Sequence, residues 1–161
     1  MCIRDRISTT TLTGSSITLS SIPATYNNLY VVIKNLLPSN DGTTINMRFN
    51  GDATSSRHRS QLTYGKVTAV AFNESEIEFM PGCDNTVGTG LFTVFIPDYT
   101  NTTTWKMAQI FGITVNETTT TNFNCQNSTG FYNQTAAISS LRFHPNFGNF
   151  TSGTILLYGV K

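Results

Sequence analysis

The sequence of 161 residues contains little charge. Asp, Glu, Lys and Arg make up only 12% of it, about half the share that is usual in soluble domains. Ten basic residues nearly balance nine acidic ones. A nucleic-acid-binding surface needs clustered positive charge, so this composition argues against a nucleic-acid partner. Threonine and asparagine supply about a quarter of the chain, so hydroxyl and amide groups must provide most of its polar surface.

Cysteine, histidine and long apolar runs are also scarce. The three Cys and two His do not follow the spacing of a structural zinc site, so we expect neither a metal nor a cofactor. Cys83 and Cys125 either form one disulfide or remain two isolated buried thiols, and the sequence leaves both alternatives open. No apolar stretch is long enough to cross a bilayer, which predicts no membrane insertion.

The first six residues, MCIRDR, are interpreted separately from the rest of the chain. They look like the translation of a transposon end used in sequencing libraries, so we interpret residues 1–6 as a sequencing or cloning scar. Without them, eight basic and eight acidic residues remain. Residues 7–161 fit one domain of ordinary size, which could be the C-terminal part of a longer chain.

The pattern of β-branched and aromatic residues between Gly, Pro, Asn and Ser clusters predicts an all-β fold. Most candidate strands have one apolar and one polar face, which favours an antiparallel β-sandwich that resembles a jelly roll. The candidate strands are 16–22, 29–37, 43–50, 58–64, 66–72, 75–79, 91–96, 105–115, 122–125, 138–143 and 154–160.

Three of these strands carry more detailed predictions. Residues 29–37 are apolar on both faces, as expected of a central strand. Residues 43–50 alternate regularly, which predicts one buried and one solvent-facing side. Gly112 interrupts 105–115 and indicates a β-bulge.

Five segments, taken in order, resemble tailed-bacteriophage virion structural proteins over nearly the whole chain beyond residue 6. They are IPATYNNL (22–29), MRFNGD (47–52), IPDYTNT (96–102), AISSL (137–141) and FTSGTILLYG (150–159). The resemblance implies a β-sandwich module of a tail fibre, head fibre or capsid decoration, located on the particle surface. It implies other virion proteins as partners and a homo-oligomer, by analogy a trimer. It supplies no catalytic residues, so we expect a non-enzymatic protein that acts in particle assembly and in host attachment.

An alternative function is carbohydrate binding, with host-surface glycans as the partner. Arg57, His58 and Arg59 form the densest positive cluster, and arginine can grip acidic sugars or phosphates. Tyr99 and Trp105 flank a Thr-rich loop and offer flat rings on which a sugar can stack. The same residues also have an explanation without a ligand. The positive cluster would then be a solvated loop, and the two aromatic rings would belong to the core.

Glu74, Glu76 and Glu78 are a third feature, predicted to share one face of a strand. Paired carboxylates are used by glycoside hydrolases, and carboxylate oxygens also suit calcium. A polar edge strand that discourages sheet association explains the same pattern without any ligand, and we favour it. The enzyme interpretation requires these carboxylates to face a cleft.

Overall fold

The computed structural model describes residues 4–64, 67–88, 90–116 and 119–161, and their regular elements are all strands. The fold is all-β, an antiparallel sandwich of jelly-roll type, as the sequence predicts. The described residues include no helix that could cross a membrane. The strands are β1 Arg4–Thr11, β2 Ile17–Leu19, β3 Asn28–Pro38, β4 Thr43–Phe49, β5 His58–Tyr64, β6 Val67–Glu74, β7 Ile77–Cys83, β8 Gly90–Ile96, β9 Lys106–Asn116, β10 Thr119–Tyr132, β11 Leu141–Pro145 and β12 Phe150–Val160.

The strands form a large and a small antiparallel layer. The large sheet has the order β1-β12-β3-β8-β9-β10-β5-β6, and the small sheet has the order β7-β4-β11-β2. Among the residues that the structure describes, one pair, Cys83 with Asn116, joins the two layers by linking β7 to β9. The two sheets are therefore continuous through their hydrogen bonds at one side.

The core lies between the layers and is built by alternation. Ile45, Met47 and Phe49 of β4 point inward and are fully buried. They belong to one apolar cluster together with Phe92 of β8 and Ile110 of β9. Burial of such side chains contributes about 1.5–3 kcal/mol each relative to exposure. Alternation in the sequence thus determines which side of each sheet faces the core.

Of the detailed strand predictions, one is confirmed, one is confirmed in part and one is wrong. β3 lies inside the large sheet between β12 and β8, as expected of a central strand. β4 buries its apolar face as predicted, but its other face is not open to solvent, because Asn46 is buried and Thr44 and Arg48 are half-buried. Gly112 does not form a bulge, because it pairs in regular register with Phe92 and Gln126. A Cβ at this position would lie 2.7 Å from Cε1 of Phe92 and 3.2 Å from Cε of Met80. Glycine is needed here because the core side chains occupy the space.

Several strand boundaries differ from the predictions. The 16–22 strand shortens to β2, and the 138–143 strand becomes β11, which starts at Leu141. The four-residue strand at 122–125 is part of the much longer β10. The predicted strand at 66–72 corresponds to β6, although Lys66 lies outside the described residues.

The segment at the N-terminus contributes a strand that the sequence did not predict. β1 pairs with β12, with Arg4 opposite Val160 and Arg6 opposite Tyr158. Residues 1–3, including Cys2, lie outside the described part of the chain. The interpretation of residues 1–6 as a scar stays a prediction, because strand pairing does not reveal the origin of a segment.

Cys83 and Cys125 are not joined by a disulfide. Cys83 is buried in β7, and Cys125 is exposed on β10. The interpretation of two buried thiols is correct for Cys83 and wrong for Cys125, because Cys125 occupies an outward-facing position of its strand.

Candidate functional site

The outward side of β8, β9 and β10 carries an unusual number of exposed apolar side chains, and we call it the outer face. Its large apolar members are Leu91, Met107, Phe111, Phe123 and Phe131, of which Phe123 is 71% exposed. These residues alternate with buried ones along each strand, so the sheet geometry itself turns them outward. None of the described outward side chains of β8, β9 and β10 is charged. The outer face is therefore a neutral surface with many apolar side chains, interrupted in its middle by Gln109, Asn127 and Thr129, which line a polar depression.

One end of the outer face contains a shallow groove. Trp105 is half exposed and lies edge-on to Phe131, with 6.1 Å between ring centroids and an angle of 89° between the ring planes. Phe131 pairs with Met107 on one side and with Arg59 on the other. The groove has a volume of about 340 Å³ and is lined by Phe95, Pro97, Met107, Ala108, Gln109, Thr129, Gly130 and Phe131. Such an aromatic edge-to-face pair is typical of both docking surfaces and sugar platforms.

Only two of the five residues predicted for the glycan site lie on this surface. Trp105 and Arg59 are exposed, and both adjoin Phe131. Tyr99 is fully buried, and its hydroxyl donates a hydrogen bond to the Pro23 carbonyl. It therefore belongs to the core and does not present a ring to a ligand.

His58 is also part of the interior rather than of a ligand site. It starts β5 on the inward side, is fully buried, and stacks on Tyr132 with 4.7 Å between ring centroids. Its Nε2 accepts a hydrogen bond of 3.4 Å from the Phe49 amide. Burial lowers the pKa of His58 to about 4, so the ring is neutral at pH 7. A buried neutral imidazole cannot contact a glycan at the surface.

Arg57 is held by an ion pair with a nearby carboxylate. Its Nη1 lies 2.7 Å from Oδ2 of Asp52, and the Tyr132 hydroxyl donates to the same oxygen over 2.9 Å. Burial alone would raise the pKa of Asp52, but the hydrogen bonds from Arg57, Thr54 and Tyr132 hold it well below its usual value. Arg57 thus stabilises the turn after β4, whereas Arg59 lies exposed on β5, so the two arginines do not form the predicted common grip.

A polar hollow lies on the opposite side of the sandwich, at the outward side of the small sheet. Its volume is about 240 Å³, and its lining residues are Thr44, Asn46, Glu74, Glu76, Glu78 and Asn146. The three glutamates do not share one strand, which corrects the sequence prediction: Glu74 ends β6, Glu76 lies in the bend, and Glu78 belongs to β7. The chain turns at the bend, and this turn brings the three carboxylates around one depression instead of along an edge.

Glu76 is fixed from two neighbouring strands. It accepts hydrogen bonds from Asn46 over 2.7 Å and from Arg48 over 2.8 Å, and His144 Nε2 lies 2.9 Å away. The bond to His144, opposed by partial burial and reinforced by Arg48, lowers the pKa of Glu76. Glu76 therefore stays ionised and links β4 and β11 to the bend before β7.

The surroundings of Glu78 shift its pKa in the opposite direction from that of Glu76. Partial burial, together with the charges of Glu74 and Glu76, raises the pKa of Glu78. Two neighbouring carboxylates with pKa values shifted in opposite directions resemble the arrangement of acid–base catalysts. The enzyme interpretation requires the three carboxylates to face a cleft, and they do line one depression. This geometry alone does not assign a reaction to them. Among the residues that the structure describes, no group of three or more His, Cys, Asp or Glu is arranged to hold a metal ion.

The sequence analysis missed most residues of both surfaces. Met107, Gln109 and Phe111 alternate with buried neighbours, and this period of two was the signal that could have located the outer face. Asn46, Arg48 and His144 come together only through strand pairing, with Arg48 opposite Arg142 and Asn46 opposite His144. No local pattern in a single sequence shows that these three side chains are neighbours in space.

No protein-family model and no curated protein matches this chain. Among solved structures, the chain is similar to an exo-inulinase from Aspergillus awamori, with a TM-score of 0.51 and 12% identity over 97% of this chain. The match covers 29% of the exo-inulinase, so the chain spans less than a third of that protein. A galectin, LEC-6 from Caenorhabditis elegans, is similar with a TM-score of 0.36 and 11% identity over 90% of this chain and 89% of the galectin. At such identities the likeness concerns the β-sandwich fold alone.

Proposed function

We propose that this chain is a non-enzymatic assembly module that packs against further copies of itself through the outer face. The single observation that supports the proposal most strongly is the neutral apolar surface of β8, β9 and β10, on which Phe111 and Phe131 stand exposed. Contiguous exposed apolar surface on a soluble domain usually marks a contact with another protein. An isolated domain gains nothing from keeping these side chains in water.

The outer face reaches the size of a standard protein interface only together with the strands beside it. Strands lie about 4.8 Å apart and rise about 3.3 Å per residue, so eight residues of β8, β9 and β10 cover roughly 400 Å². A standard interface buries about 800 Å² on each partner. A stable complex would therefore also cover part of the neighbouring strands β3 and β5.

Charge favours a second copy as the occupant. The central strands of the face are neutral, and the charged side chains of the flanking strands, Arg59 of β5 and Lys34 of β3, are both positive. A partner must be neutral over the centre, and another copy of this chain presents such a surface. Contact between the central strands of two copies buries no charge, and it requires Arg59 and Lys34 to stay at the solvent-exposed rim.

The setting in which this assembly acts is proposed from the sequence resemblance. Tail fibres and capsid decorations are built from repeated copies of β-rich modules, and a self-packing sandwich suits that role. We therefore place the chain on the surface of a tailed-bacteriophage particle, beside other virion proteins. The trimer implied by the resemblance stays a prediction.

The reactivity of Cys125 tests the proposed contact directly. Cys125 is exposed on the outer face, whereas Cys83 is buried and serves as an internal control. In a Cys2→Ser background, we expect a thiol reagent to modify Cys125 more slowly as the protein concentration rises. Phe111→Lys should restore fast modification, and Thr18→Lys, at an exposed position of β2, should not. Modification that is independent of concentration would contradict the proposal.

Carbohydrate binding is a second candidate, favoured by the exposure of Trp105 beside Phe131 and Arg59. A half-exposed indole with an adjacent guanidinium can stack on a sugar ring and bind its hydroxyls. A glycan array of the full chain and of Trp105→Ala separates this candidate from assembly. Loss of binding in the variant, with unchanged mass in solution, would favour the glycan function. Release of reducing sugar from any glycan would contradict the non-enzymatic proposal.

A further inference from the structure

A band of polar side chains crosses the middle of the outer face, and we call it the polar band. It lines a depression of about 290 Å³. Its side chains are all exposed, and within the described part of the chain none of them makes a side-chain hydrogen bond. Their amide and hydroxyl groups are therefore left to solvent or to a partner. The members of the polar band are Gln61 and Thr63 of β5, Gln109 of β9, and Asn127 and Thr129 of β10.

Strand pairing places the polar band between two apolar ends of the outer face. On β9, Met107 and Phe111 lie two residues before and two residues after Gln109, and both are exposed. On the neighbouring strand, Asn127 pairs with Phe111, and the exposed Phe131 lies four residues further along. Alternate residues of a strand share one face. Gln109 and Asn127 therefore each have an apolar side chain beside them on the same side of the sheet.

This order of side chains makes the alignment of two copies important. Contact through the outer face removes the polar band from water, and a buried amide without a partner costs about 1–3 kcal/mol. An amide has both donors and an acceptor, so the amides of two copies can satisfy each other when band meets band. A slip of two residues, about 7 Å along a strand, would instead place Gln109 against Met107 or Phe111 of the other copy. The polar band therefore disfavours slipped alignments.

The apolar ends and the polar band contribute differently to such a contact. Burial of exposed side chains such as Phe111 and Phe131 stabilises the contact without favouring one alignment, because the hydrophobic effect is non-directional. Hydrogen bonds depend on distance and angle, so the amides discriminate between alignments. A single buried asparagine fixes the register of a coiled coil in the same way, at a cost in stability.

We infer that Gln109 and Asn127 are the specificity-determining residues of the self-contact, in which the polar band of one copy faces that of another. This inference rests on the proposed function. The amides select one alignment, and the apolar ends hold the copies together. Two copies around a two-fold axis, or three around a three-fold axis, can both bring the bands together. The two amides thus determine how the copies align rather than how many there are.

The test compares the full wild-type chain with Gln109→Leu/Asn127→Leu by sedimentation velocity over a range of concentrations. We expect the wild type to form one associated species. The double variant should associate at least as tightly but as several species of different mass, because slipped alignments no longer bury an unpaired amide and can continue into open chains. Thr18→Leu/Ser20→Leu is the matched control, since it adds two leucines at exposed positions outside the outer face, and it should keep the single species.

The outcomes separate this inference from the proposed function. If the wild type stays a single copy at every concentration, the proposed function is contradicted and the inference falls with it. If the wild type forms several species by itself, or the double variant forms one species, the amides do not select an alignment and the inference alone is wrong. Association of the double variant that is at least tenfold weaker would also contradict it, because the amides would then supply affinity rather than specificity.

Folding and added hydrophobicity are controlled separately. Circular dichroism checks that the double variant is folded, and Asn127→Leu alone replaces it if it is not. Several species in Thr18→Leu/Ser20→Leu would contradict the inference as well, because the added leucines, and not the lost amides, would then explain the range of masses.

Discussion

The hydroxyl of Tyr132, at the end of β10, donates a hydrogen bond of 2.9 Å to the carboxylate of Asp52, in the turn after β4. This bond joins the large sheet to the small one at one end of the sandwich. Burial and the neighbouring Asp52 carboxylate raise the pKa of Tyr132 to about 12, so the hydroxyl remains a donor at all moderate pH values. Arg57 binds the same oxygen from the side.

Asp52→Ala should therefore destabilise the fold. It leaves the buried Tyr132 hydroxyl and the Arg57 guanidinium without their acceptor, which costs roughly 1–3 kcal/mol in the free energy of unfolding. Urea denaturation measures the difference. Asp41→Ala is the matched control, because Asp41 is exposed and accepts a hydrogen bond from the adjacent Gly42 amide. Equal losses in both variants would contradict a structural role for the Tyr132–Asp52 bond.

His58 should make the protein sensitive to mild acid. Its pKa falls from an ordinary 6.5 to about 4 in the folded state, mainly through burial. Between these two pH values, His58 is protonated in the unfolded chain but neutral in the folded chain. Stability is therefore full above about pH 6.5 and decreases by up to about 3 kcal/mol as the pH falls to about 4.

Denaturation at several pH values, in the wild type and in His58→Phe, measures this contribution. The variant keeps a ring against Tyr132 but cannot titrate, so we expect its stability to vary much less over the same window. A wild-type slope that persists in His58→Phe would assign the acid sensitivity to another group.

Glu78→Gln should stabilise the protein at neutral pH. The folded-state pKa of Glu78 is raised by burial and by two nearby carboxylates, so its ionised form is unfavourable in the fold. The gain in melting temperature should shrink as the pH falls toward that pKa, because the wild-type side chain then becomes neutral too.

Glu76→Gln is the opposing control for the same hollow. Glu76 has a lowered pKa and binds Arg48 and His144, so its neutralisation should lower the melting temperature at neutral pH. Changes of the same sign in the two variants would mean that the different environments assigned to Glu76 and Glu78 are wrong.

Gly112→Ala should destabilise the core without touching the outer face. The new Cβ would meet Phe92 and Met80, and such overpacking typically costs 1–3 kcal/mol. Thr129→Ala, at an exposed position of the neighbouring strand, is the control and should be nearly neutral. Thermal unfolding followed by circular dichroism is sufficient. A neutral Gly112→Ala would contradict the claim that Phe92 and Met80 leave no room for a Cβ at this position.

The sequence predicts strands well where one face is apolar and poorly where that pattern is hidden. β4 was found because Ile45, Met47 and Phe49 alternate with polar residues. The second half of β10 was missed because its inward residues, Gln126, Ser128 and Gly130, are polar or small, whereas Phe131 points outward. β1 was missed because its threonines carry no apolar alternation and because β12 supplies its partner from the far end of the chain.

The candidate sites were less predictable for a related reason. Exposed and buried aromatic residues look alike in a sequence, so Tyr99 and Trp105 were assigned to one platform although only Trp105 reaches the surface. The grouping of Glu74, Glu76 and Glu78 was recognised, but its partners Arg48 and His144 come from distant strands. Surface chemistry depends on register between strands, and a single sequence does not encode that register locally.

The mass of the full chain in solution, measured by light scattering over a range of concentrations, tests the central proposal most directly. Self-assembly through the outer face predicts a mass that is a multiple of one chain, with three copies expected from the virion resemblance, and a return to a single copy in Phe111→Lys. A dimer would support contact through the outer face but would contradict the predicted trimer. A single copy at every concentration would contradict assembly through the outer face.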